Sequence, residues 1–261
     1  MNLIIYPKLN IFLKIIGYKE GFHQLNSRFV QAIGEVYDEM QISSSSRFML
    51  MGDFGCEMQD NLIYKAKCAM EDFLSARSKE TKGLQSLKIE VQKVIPKGAG
   101  LGGGSGNAGA FLRGVNAFLE LGLSDVELIH IAQEVGADVS FFASGVKSAN
   151  VSGRGECIEP FIESPLKYDI YTPPISCDTA KVYQSYKDSI KSQKCHYSKP
   201  TTQWFTLTSK DLLHLSHLRE ELNDLFLSAT LLYPALKDIA LDLGEGWYFS
   251  GSGSSFFRIR A

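Results

Sequence analysis

A glycine-rich segment at residues 95–110 has the composition of a loop that binds an anion. It reads IPKGAGLGGGSGNAGA and holds seven glycines and three alanines in sixteen positions. Glycine in a fixed backbone costs about 0.5–1 kcal/mol relative to alanine, so something must compensate for this cost. A bound phosphate can do so, because backbone N–H groups that no side chain covers converge on it. A helix that begins directly after the loop adds the positive end of its dipole.

The segments on either side of the loop predict a strand before it and a helix after it. Residues 87–95 have apolar side chains at alternate positions, the period of a half-buried strand. Residues 108–119 have apolar side chains at helical spacing. A flexible linker rarely lies between two such segments, so phosphate binding is favoured. Ser105 and Asn107 stand where the helix begins; either they cap it, or Ser105 offers its hydroxyl to a phosphate-bound Mg²⁺.

Two common nucleotide-binding motifs do not fit this loop. The G-x-G-x-x-G pattern matches twice, from Gly98 and from Gly104, and a pattern that matches twice in one run is weak. A dinucleotide fold also needs an acidic residue about 20 positions on, after a second strand. Glu120 has that distance but lies at the end of the predicted helix. A Walker A loop needs Gly-Lys-Ser/Thr, which does not occur here.

The composition is that of an average globular protein. The chain has 261 residues, 44% apolar and 21% charged, enough for one large domain or two small ones. Its net charge of −2 gives no electrostatic footprint for nucleic acid or an anionic membrane, and we expect neither as a partner.

The cysteines and the N-terminal segment bear on the compartment. Five scattered cysteines without a CxxC pair argue against a zinc site or a disulfide framework and favour a reducing compartment. The N-terminal segment is hydrophobic, but Pro7, Lys8, Asn10 and Lys14 interrupt it, and no small-residue cleavage site follows. No run reaches the ~18 apolar residues of a membrane helix. We expect a cytoplasmic protein.

The remaining elements predict an α+β protein of two domains. Apolar patterns and turn residues indicate further strands in 2–6, 10–18 and 148–161, and helices in 61–77, 124–136, 209–222 and 228–243. Residues 246–259 read as two strands joined by a Gly-Ser turn. The residue composition changes near residue 160, after which come Pro173-Pro174 and a polar stretch. This change predicts a boundary between domains 1–160 and 161–261.

Several motifs in one order resemble those of the GHMP kinases, the family of galactokinase, homoserine kinase, mevalonate kinase and phosphomevalonate kinase. PKGAGLGGGSGNAGA is similar to the P-x-x-x-G-L-G-S/G-S-S/G-x-A signature of that family. YPKLNIFLKIIGYKEGFHQLNSRF, GADVSFFASG and FSGSGSSFF resemble further segments, and LNDLF resembles an Asn-Asp-Leu-Glu element. Together they span residues 6–257. The resemblance implies an S5-like N-terminal domain and a ferredoxin-like C-terminal domain.

The resemblance also implies ATP as phosphoryl donor, with Mg²⁺. The loop then cradles the phosphates, Lys93 flanks the adenine, and Ser105 is the one residue expected to contact the metal ion. The residues implied in ATP binding are Lys93, Pro96, Gly98, Gly100, Leu101, Gly102, Gly103, Gly104, Ser105 and Asn107.

Two charged residues lie inside matching motifs and are implied in catalysis. Asp138 would accept the proton of the attacking hydroxyl, and Lys8 would pair with it and keep it ionised. Without the resemblance, Asp138 would more readily cap a helix beginning near Val139, and Lys8 would be an ordinary edge-strand lysine.

For the acceptor, the closest members of the family imply a small molecule with a cytidine diphosphate moiety. Phe22 would stack on the cytosine, where the family has Tyr, and His23 would hydrogen-bond the base. Asn10 would hold a substrate hydroxyl or phosphate, with Phe29 and Thr172 lining the same site. A second aromatic is expected on the far face of the base, but Ser176 occupies that position.

The implied function is phosphorylation of the 2-hydroxyl of this acceptor in non-mevalonate isoprenoid precursor synthesis, by a monomer or weak homodimer. The Gly-Phe-His segment and the Lys8–Asp138 pair favour it. The alternatives are another small-molecule kinase of the family, of homoserine or mevalonate type, and a catalytically silent nucleotide-binding relative. Silent relatives should have lost the carboxylate or the loop, and both are present.

Overall fold

Strands and helices are mixed along the chain in this computed structural model, which describes residues 1–215 and 218–260. The strands are β1 (Asn2–Ile5), β2 (Lys8–Lys19), β3 (Phe22–Gln31), β4 (Asp38–Ser44), β5 (Met49–Met51), β6 (Leu87–Gln92), β7 (Ser148–Gly153), β8 (Cys157–Pro160), β9 (Tyr168–Tyr171), β10 (Tyr248–Phe249) and β11 (Phe256–Ile259). The helices are α1 (Leu62–Ser75), α2 (Lys82–Gln85), α3 (Gly103–Phe118), α4 (Asp125–Val135), α5 (Ala137–Ser144), α6 (Thr179–Lys191), α7 (Ser209–His214), α8 (Arg219–Leu222), α9 (Phe226–Leu232) and α10 (Ala235–Leu243). Among the described helices, none has the length and apolar character needed to cross a bilayer.

The chain forms two compact units whose segments alternate along the sequence. Unit one consists of Met1–Pro7, Glu35–Ile95 and Gly102–Val146. Unit two consists of Lys8–Gly34, Pro96–Leu101 and the chain from Lys147 onward. The glycine loop therefore contributes residues to both units. The division into domains at residue 160 stays a prediction.

Unit one is a four-stranded sheet with helices packed on it. The strand order is β1-β4-β6-β5, with β5 parallel to β6 and the other pairs antiparallel. Strand β6 buries Leu87, Ile89 and Val91, as its alternation predicts, and these residues join the core with helices α1, α3 and α4. A capping box formed by Ser124 and Glu127 begins α4.

Helices α3 and α5 approach each other closely because α3 has a glycine at the contact. A Cβ placed on Gly109 would lie 2.4 Å from the Cβ of Phe142 and 2.8 Å from the backbone nitrogen of Ala143. No side chain larger than hydrogen fits there. The glycines that follow the loop in the sequence therefore have a packing role inside α3, separate from any role in binding.

Unit two contains two sheets. The first has the order β2-β3-β7-β8 and is antiparallel throughout; the second has the order β10-β11-β9. The guanidinium of Arg28 is fully buried and donates to Asn150 and to backbone carbonyl groups of Trp204 and Leu207. It thereby fixes a segment without regular strands against the first sheet.

Most of the predicted elements are present, and the differences have local causes. The predicted helix 209–222 is two short helices, α7 and α8, with Ser216 and His217 between them outside the described residues. The predicted helix 228–243 is interrupted at Pro234, which has no N–H to continue the helical hydrogen bonds of α9. Strands β3, β4, β5 and β9 and helices α2 and α6 were missed. In β3 and α6 the polar residues mask the apolar spacing.

Candidate active site

The second half of the glycine loop, in unit one, leads into an uncapped helix. Gly102 occupies the N-cap position of α3 in a left-handed conformation (φ 69°), and it has no side chain to hydrogen-bond the first turn. Neither Ser105 nor Asn107 caps this helix, so the capping alternative is wrong. Gly104 is exposed, and the nearest atom to a Cβ placed there is 3.5 Å away. The backbone N–H groups of the first turn thus remain available to an anion.

A buried carboxylate joins the two flanks of the loop in unit one. Asp38 is fully buried and accepts hydrogen bonds from the backbone nitrogens of Val94 (2.7 Å) and Ile95 (2.9 Å). Its other oxygen accepts from Lys93 Nζ and from Asn107 Nδ2, and Lys93 also donates to Asn107 Oδ1 (2.8 Å). Lys93 and Asn107, both predicted to bind ATP, are therefore held by Asp38, which the sequence reasoning did not single out.

The first half of the loop, in unit two, packs on the serine-glycine turn, residues 250–255. Gly100 has φ +71°, and a Cβ on it would lie 2.1 Å from the carbonyl oxygen of Ser250. Ser250 Oγ donates to the Gly100 carbonyl (3.1 Å), and Ser255 N donates to the Ala99 carbonyl (3.1 Å). Unit two also contains the predicted loop residues Pro96, Gly98 and Leu101.

Lys8, Asn10 and Phe29 come together in unit two, as the resemblance implies. Lys8 begins β2, an edge strand of its sheet, yet it is only 3% exposed, so it is not an ordinary solvated edge lysine. Its Nζ donates to Asn10 Oδ1 and lies 4.8 Å from the centroid of the Phe29 ring. Asn10 Nδ2 donates to Ser27 Oγ (3.0 Å). These contacts fix the ammonium group before any substrate binds.

Asp138 lies in the first turn of α5, in unit one. The N-cap residue is Gly136 and the helix begins at Ala137, so Asp138 is inside the helix and does not cap it. A carboxylate in a first turn is stabilised by the helix dipole. Two positions on, Ser140 Oγ is buried without a hydrogen-bond partner among the described residues. The pairing of Asp138 with Lys8 stays a prediction.

Aromatic rings surround His23 in unit two. The ring centroids of Tyr18, Tyr183 and Tyr186 lie 5.0, 5.3 and 6.0 Å from that of His23. His23 Nδ1 is buried and, within the described chain, has no hydrogen-bond partner. Burial, and secondarily the charge of Lys187, lower the pKa of His23 below its ordinary 6.5, while the Tyr183 backbone partly opposes this. The lowered pKa favours the neutral imidazole, the form that suits a hydrogen bond to a neutral heterocycle.

Phe22 precedes this cluster on β3 and is exposed. The ring is 53% accessible, as a stacking surface must be. The guanidinium of Arg154 lies 4.9 Å from its centroid. One face of the ring is thus covered by a cation.

Unit two also contains Thr172, a predicted substrate-binding residue, and Ser176, where an aromatic residue was expected. Thr172 Oγ1 shares a hydrogen bond of 2.7 Å with Ser255 Oγ, so it lies at the serine-glycine turn. Ser176, where the second aromatic was expected, lies against Gly98: its Oγ is 2.2 Å from the position of a Cβ on that glycine. An aromatic side chain there would collide with the loop.

Tyr183 and Thr179, both on α6, lie beside predicted site residues and were missed. Tyr183 is one of the three aromatic rings that adjoin His23, and Thr179 Oγ1 shares a hydrogen bond of 2.8 Å with Ser252 Oγ in the serine-glycine turn. The signal was the helical spacing of Val182 and Tyr186, both buried, which defines α6 and leaves Tyr183 on its flank.

No group of three or more His, Cys, Asp or Glu residues that could hold a metal ion is found among the described residues. The helix start at Gly103–Ser105 suits a phosphate that brings its own metal ion. Ser105 is half-buried in this turn and is the hydroxyl nearest in sequence to the uncapped N–H groups.

Comparison with known proteins defines the class and then the family. Residues 61–146 match the family described as GHMP kinases N terminal domain, which agrees with the α+β fold and the glycine loop. The chain is 43% identical to a 4-diphosphocytidyl-2-C-methyl-D-erythritol kinase of Helicobacter acinonychis (strain Sheeba), over 98% of this chain and 95% of that protein. It is 42% identical to the kinase of the same name from Sulfurovum sp. (strain NBC37-1), over 98% and 97%.

A solved structure agrees with these relatives. The crystal structure of a 4-(cytidine 5'-diphospho)-2C-methyl-D-erythritol kinase superposes with a TM-score of 0.76 at 27% identity, covering 99% of this chain and 90% of that one. The protein thus has the fold of the GHMP kinases. Within that class, the chain belongs to the family of 4-diphosphocytidyl-2-C-methyl-D-erythritol kinases. It is a kinase that uses ATP.

Proposed function

We propose that this protein transfers the γ-phosphoryl group of ATP to the 2-hydroxyl of 4-diphosphocytidyl-2-C-methyl-D-erythritol, in isoprenoid precursor synthesis by the non-mevalonate route. The observation that carries the proposal is 43% identity to a kinase of that name over 98% of the chain. The aromatic cluster at His23 supports it independently, because a cytosine needs flat apolar contacts and a neutral hydrogen-bonding group. We further propose a cytoplasmic enzyme that acts as a monomer or weak homodimer.

The cytidine moiety is recognised by residues of unit two. Phe22 and Tyr183 supply ring surfaces for stacking, an interaction worth about 1–3 kcal/mol per base. His23 hydrogen-bonds the base edge through its buried ring nitrogen, whose need for a partner the described chain does not meet. Asn10 and Thr172 hold polar groups further along the substrate.

ATP is bound at the glycine loop. The N–H groups at the start of α3 face the phosphates, and the helix dipole favours their negative charge. Mg²⁺, when bound with ATP, neutralises charge that develops on the transferred phosphoryl group, and Ser105 is the side chain we assign to it. Lys93 and Asn107 contribute by fixing the loop flanks through Asp38.

The hydroxyl group is activated by position more than by a strong base. Asp138 accepts its proton as the new P–O bond forms, and Lys8 keeps the carboxylate ionised. The buried contacts of Lys8 with Asn10 and Phe29 hold the ammonium in one place. The charge and the geometry are therefore set before ATP and the acceptor bind.

A coupled ADP-release assay tests the proposal. Mg·ATP is supplied with 4-diphosphocytidyl-2-C-methyl-D-erythritol, and in parallel with homoserine and with mevalonate. We expect turnover with the cytidyl substrate alone, and a loss of about 10²- to 10⁴-fold in kcat for Asp138→Asn. Turnover with homoserine or mevalonate instead would replace the proposed substrate. ATP binding without turnover of any acceptor would identify a silent relative.

A further inference from the structure

Asn223 belongs to the LNDLF segment, a motif to which neither the sequence nor the proposed chemistry assigns a role. It is 2% exposed and makes three hydrogen bonds. Nδ2 donates to the carbonyl groups of Phe249 and Gly251, both at 2.9 Å, and Oδ1 accepts from Leu225 N at 2.9 Å. Both hydrogen bonds that the Asn223 side chain donates therefore go to the backbone around Gly251.

The backbone at Gly251 packs directly on the predicted catalytic lysine. A Cβ on Gly251 would lie 3.3 Å from Lys8 Nζ, 3.2 Å from Asn10 Oδ1 and 3.2 Å from the Gly100 carbonyl oxygen. The residue has φ +58°, which suits glycine. One turn of backbone therefore borders the ammonium group, its amide partner and the loop.

The neighbouring residue ties the same element to the strand that carries Lys8. Asp224 accepts hydrogen bonds from Ile15 N (2.7 Å) and from Lys14 Nζ, and its own N–H donates to the Leu13 carbonyl (3.0 Å). Asn223 and Leu13 form a bridge between their backbones. The Asn-Asp pair thus has β2 on one side and the serine-glycine turn on the other.

We propose that Asn223 is a positioning residue for phosphoryl transfer: it holds Gly251 against Lys8 and so fixes the ammonium group. The inference rests on the proposed function, in which Lys8 acts at the reacting groups. Asn223 itself touches neither substrate. Its loss lets the turn shift, and a shift of about 1 Å in a reacting group can cost on the order of 10²-fold in rate.

The experiment compares Asn223→Ala with Asn150→Ala in the ADP-release assay. Asn150 is a matched control, a buried asparagine of unit two whose Nδ2 also donates to a backbone carbonyl, that of Phe205 (3.1 Å). Both variants should lose thermal stability. We expect Asn223→Ala alone to lower kcat by about 10- to 100-fold, with KM for ATP and for the cytidyl substrate changed less than about threefold.

A double-mutant cycle with Gly251→Ala separates positioning from general destabilisation. If Asn223 acts through the turn, the kcat losses of Asn223→Ala and Gly251→Ala do not multiply in the double variant. Losses that multiply, or equal kcat losses in Asn150→Ala, would overturn the inference. So would an unchanged kcat in Asn223→Ala.

Asn223→Ser keeps the test decisive if the alanine variant does not fold. Its hydroxyl can donate to only one of the two carbonyl groups, and we expect a smaller but selective loss of kcat; an unchanged kcat would contradict the inference. Wild-type protein in the same assay distinguishes the two proposals. An inactive wild type removes the proposed function, whereas an active wild type with an equally active Asn223→Ser removes only the role of Asn223.

Discussion

The side-chain amide of Asn107, inside α3, donates to the buried carboxylate of Asp38 across 2.9 Å. Asn107 follows the glycine loop, whereas Val94 and Ile95, which bind the other carboxylate oxygen, precede it. One side chain of β4 thus connects the two flanks of a loop whose glycines give it no stiffness of their own. The loop is ordered by its surroundings rather than by its sequence.

Asp38→Asn should weaken both folding and ATP binding. The substitution leaves the half-buried ammonium of Lys93 without its charged partner, and breaking a fully buried ion pair from one side costs about 3–5 kcal/mol. We expect the free energy of unfolding to fall by less than that amount, and KM for ATP to rise by about tenfold or more with a smaller change in kcat. Urea unfolding and steady-state kinetics with varied ATP measure the two effects.

Glu163→Gln is the matched control for Asp38→Asn. Glu163 also accepts several hydrogen bonds, from Ser148 and from the N-terminus of α7 at Ser209, but it has no contact with the loop flanks. It should lose stability without a change in KM for ATP. An unchanged KM for ATP in Asp38→Asn would show that ATP binding does not depend on the anchoring of the loop flanks by Asp38.

Two glycines of α3 should respond oppositely to alanine. Gly109→Ala places a methyl group 2.4 Å from Phe142, and overpacking of this kind costs about 1–3 kcal/mol. Gly104→Ala meets no atom closer than 3.5 Å and adds helix propensity, worth up to about 1 kcal/mol. Thermal unfolding should show a lower Tm for the first and an equal or higher Tm for the second. A Gly109→Ala variant as stable as the wild type would mean that α3 and α5 separate freely.

The sequence predicted an element of the fold correctly where the signal for that element lay in its own residues. The helix at residues 62–75, the capping box at Ser124 and the strand pair around the Gly-Ser turn carry their own signals, and each is present. The predicted helix after residue 228 ignored Pro234, which is itself a local signal. Strand β3 was missed because six mostly polar residues precede its apolar pair Phe29 and Val30. The strand forms by pairing with β2 and β7, which no local pattern reports.

The motifs identified candidate site residues that the structure brings together, and they missed residues whose hydrogen bonds join distant segments of the chain. Lys8, Asn10 and Phe29 were found through their motif, and unit two brings them together. Asp38 and Asn223 were not assigned a role, because most of their hydrogen-bond partners are distant in the sequence, and no spacing rule reports such bonds. Tyr183 was missed because an aromatic was sought at residue 176, where the packing of the loop excludes one.

Tyr183→Ala should weaken binding of the cytidyl substrate while leaving ATP binding unchanged. Loss of one stacking surface costs about 1–3 kcal/mol, so we expect KM for that substrate to rise on the order of 5- to 100-fold. Tyr183→Phe keeps the ring and should stay near wild type. Tyr171→Ala, an exposed tyrosine on β9, is the control. Equal KM values in the wild type and Tyr183→Ala would remove Tyr183 from the base-binding surface.

The protonation of His23 should make the stability of the protein depend on pH. Burial and the charge of Lys187 hold the pKa of His23 below 6.5 in the folded protein. The unfolded chain, with a pKa near 6.5, therefore binds more protons between these two values, and the free energy of unfolding falls as the pH drops through that window. The effect fades as the pH rises past 6.5 and vanishes about one unit above it, where the imidazole is neutral in both states.

NMR titration of the His23 ring, assigned with His23→Gln, measures this pKa directly. We expect a midpoint below 6.5, which Lys187→Met moves upward because it removes a cation that opposes protonation. Unfolding at pH 7.5 and pH 5 should then show a smaller loss of stability on acidification in His23→Gln than in the wild type. A midpoint at or above 6.5 would contradict a neutral His23, and with it the assignment of its buried Nδ1 to an uncharged base.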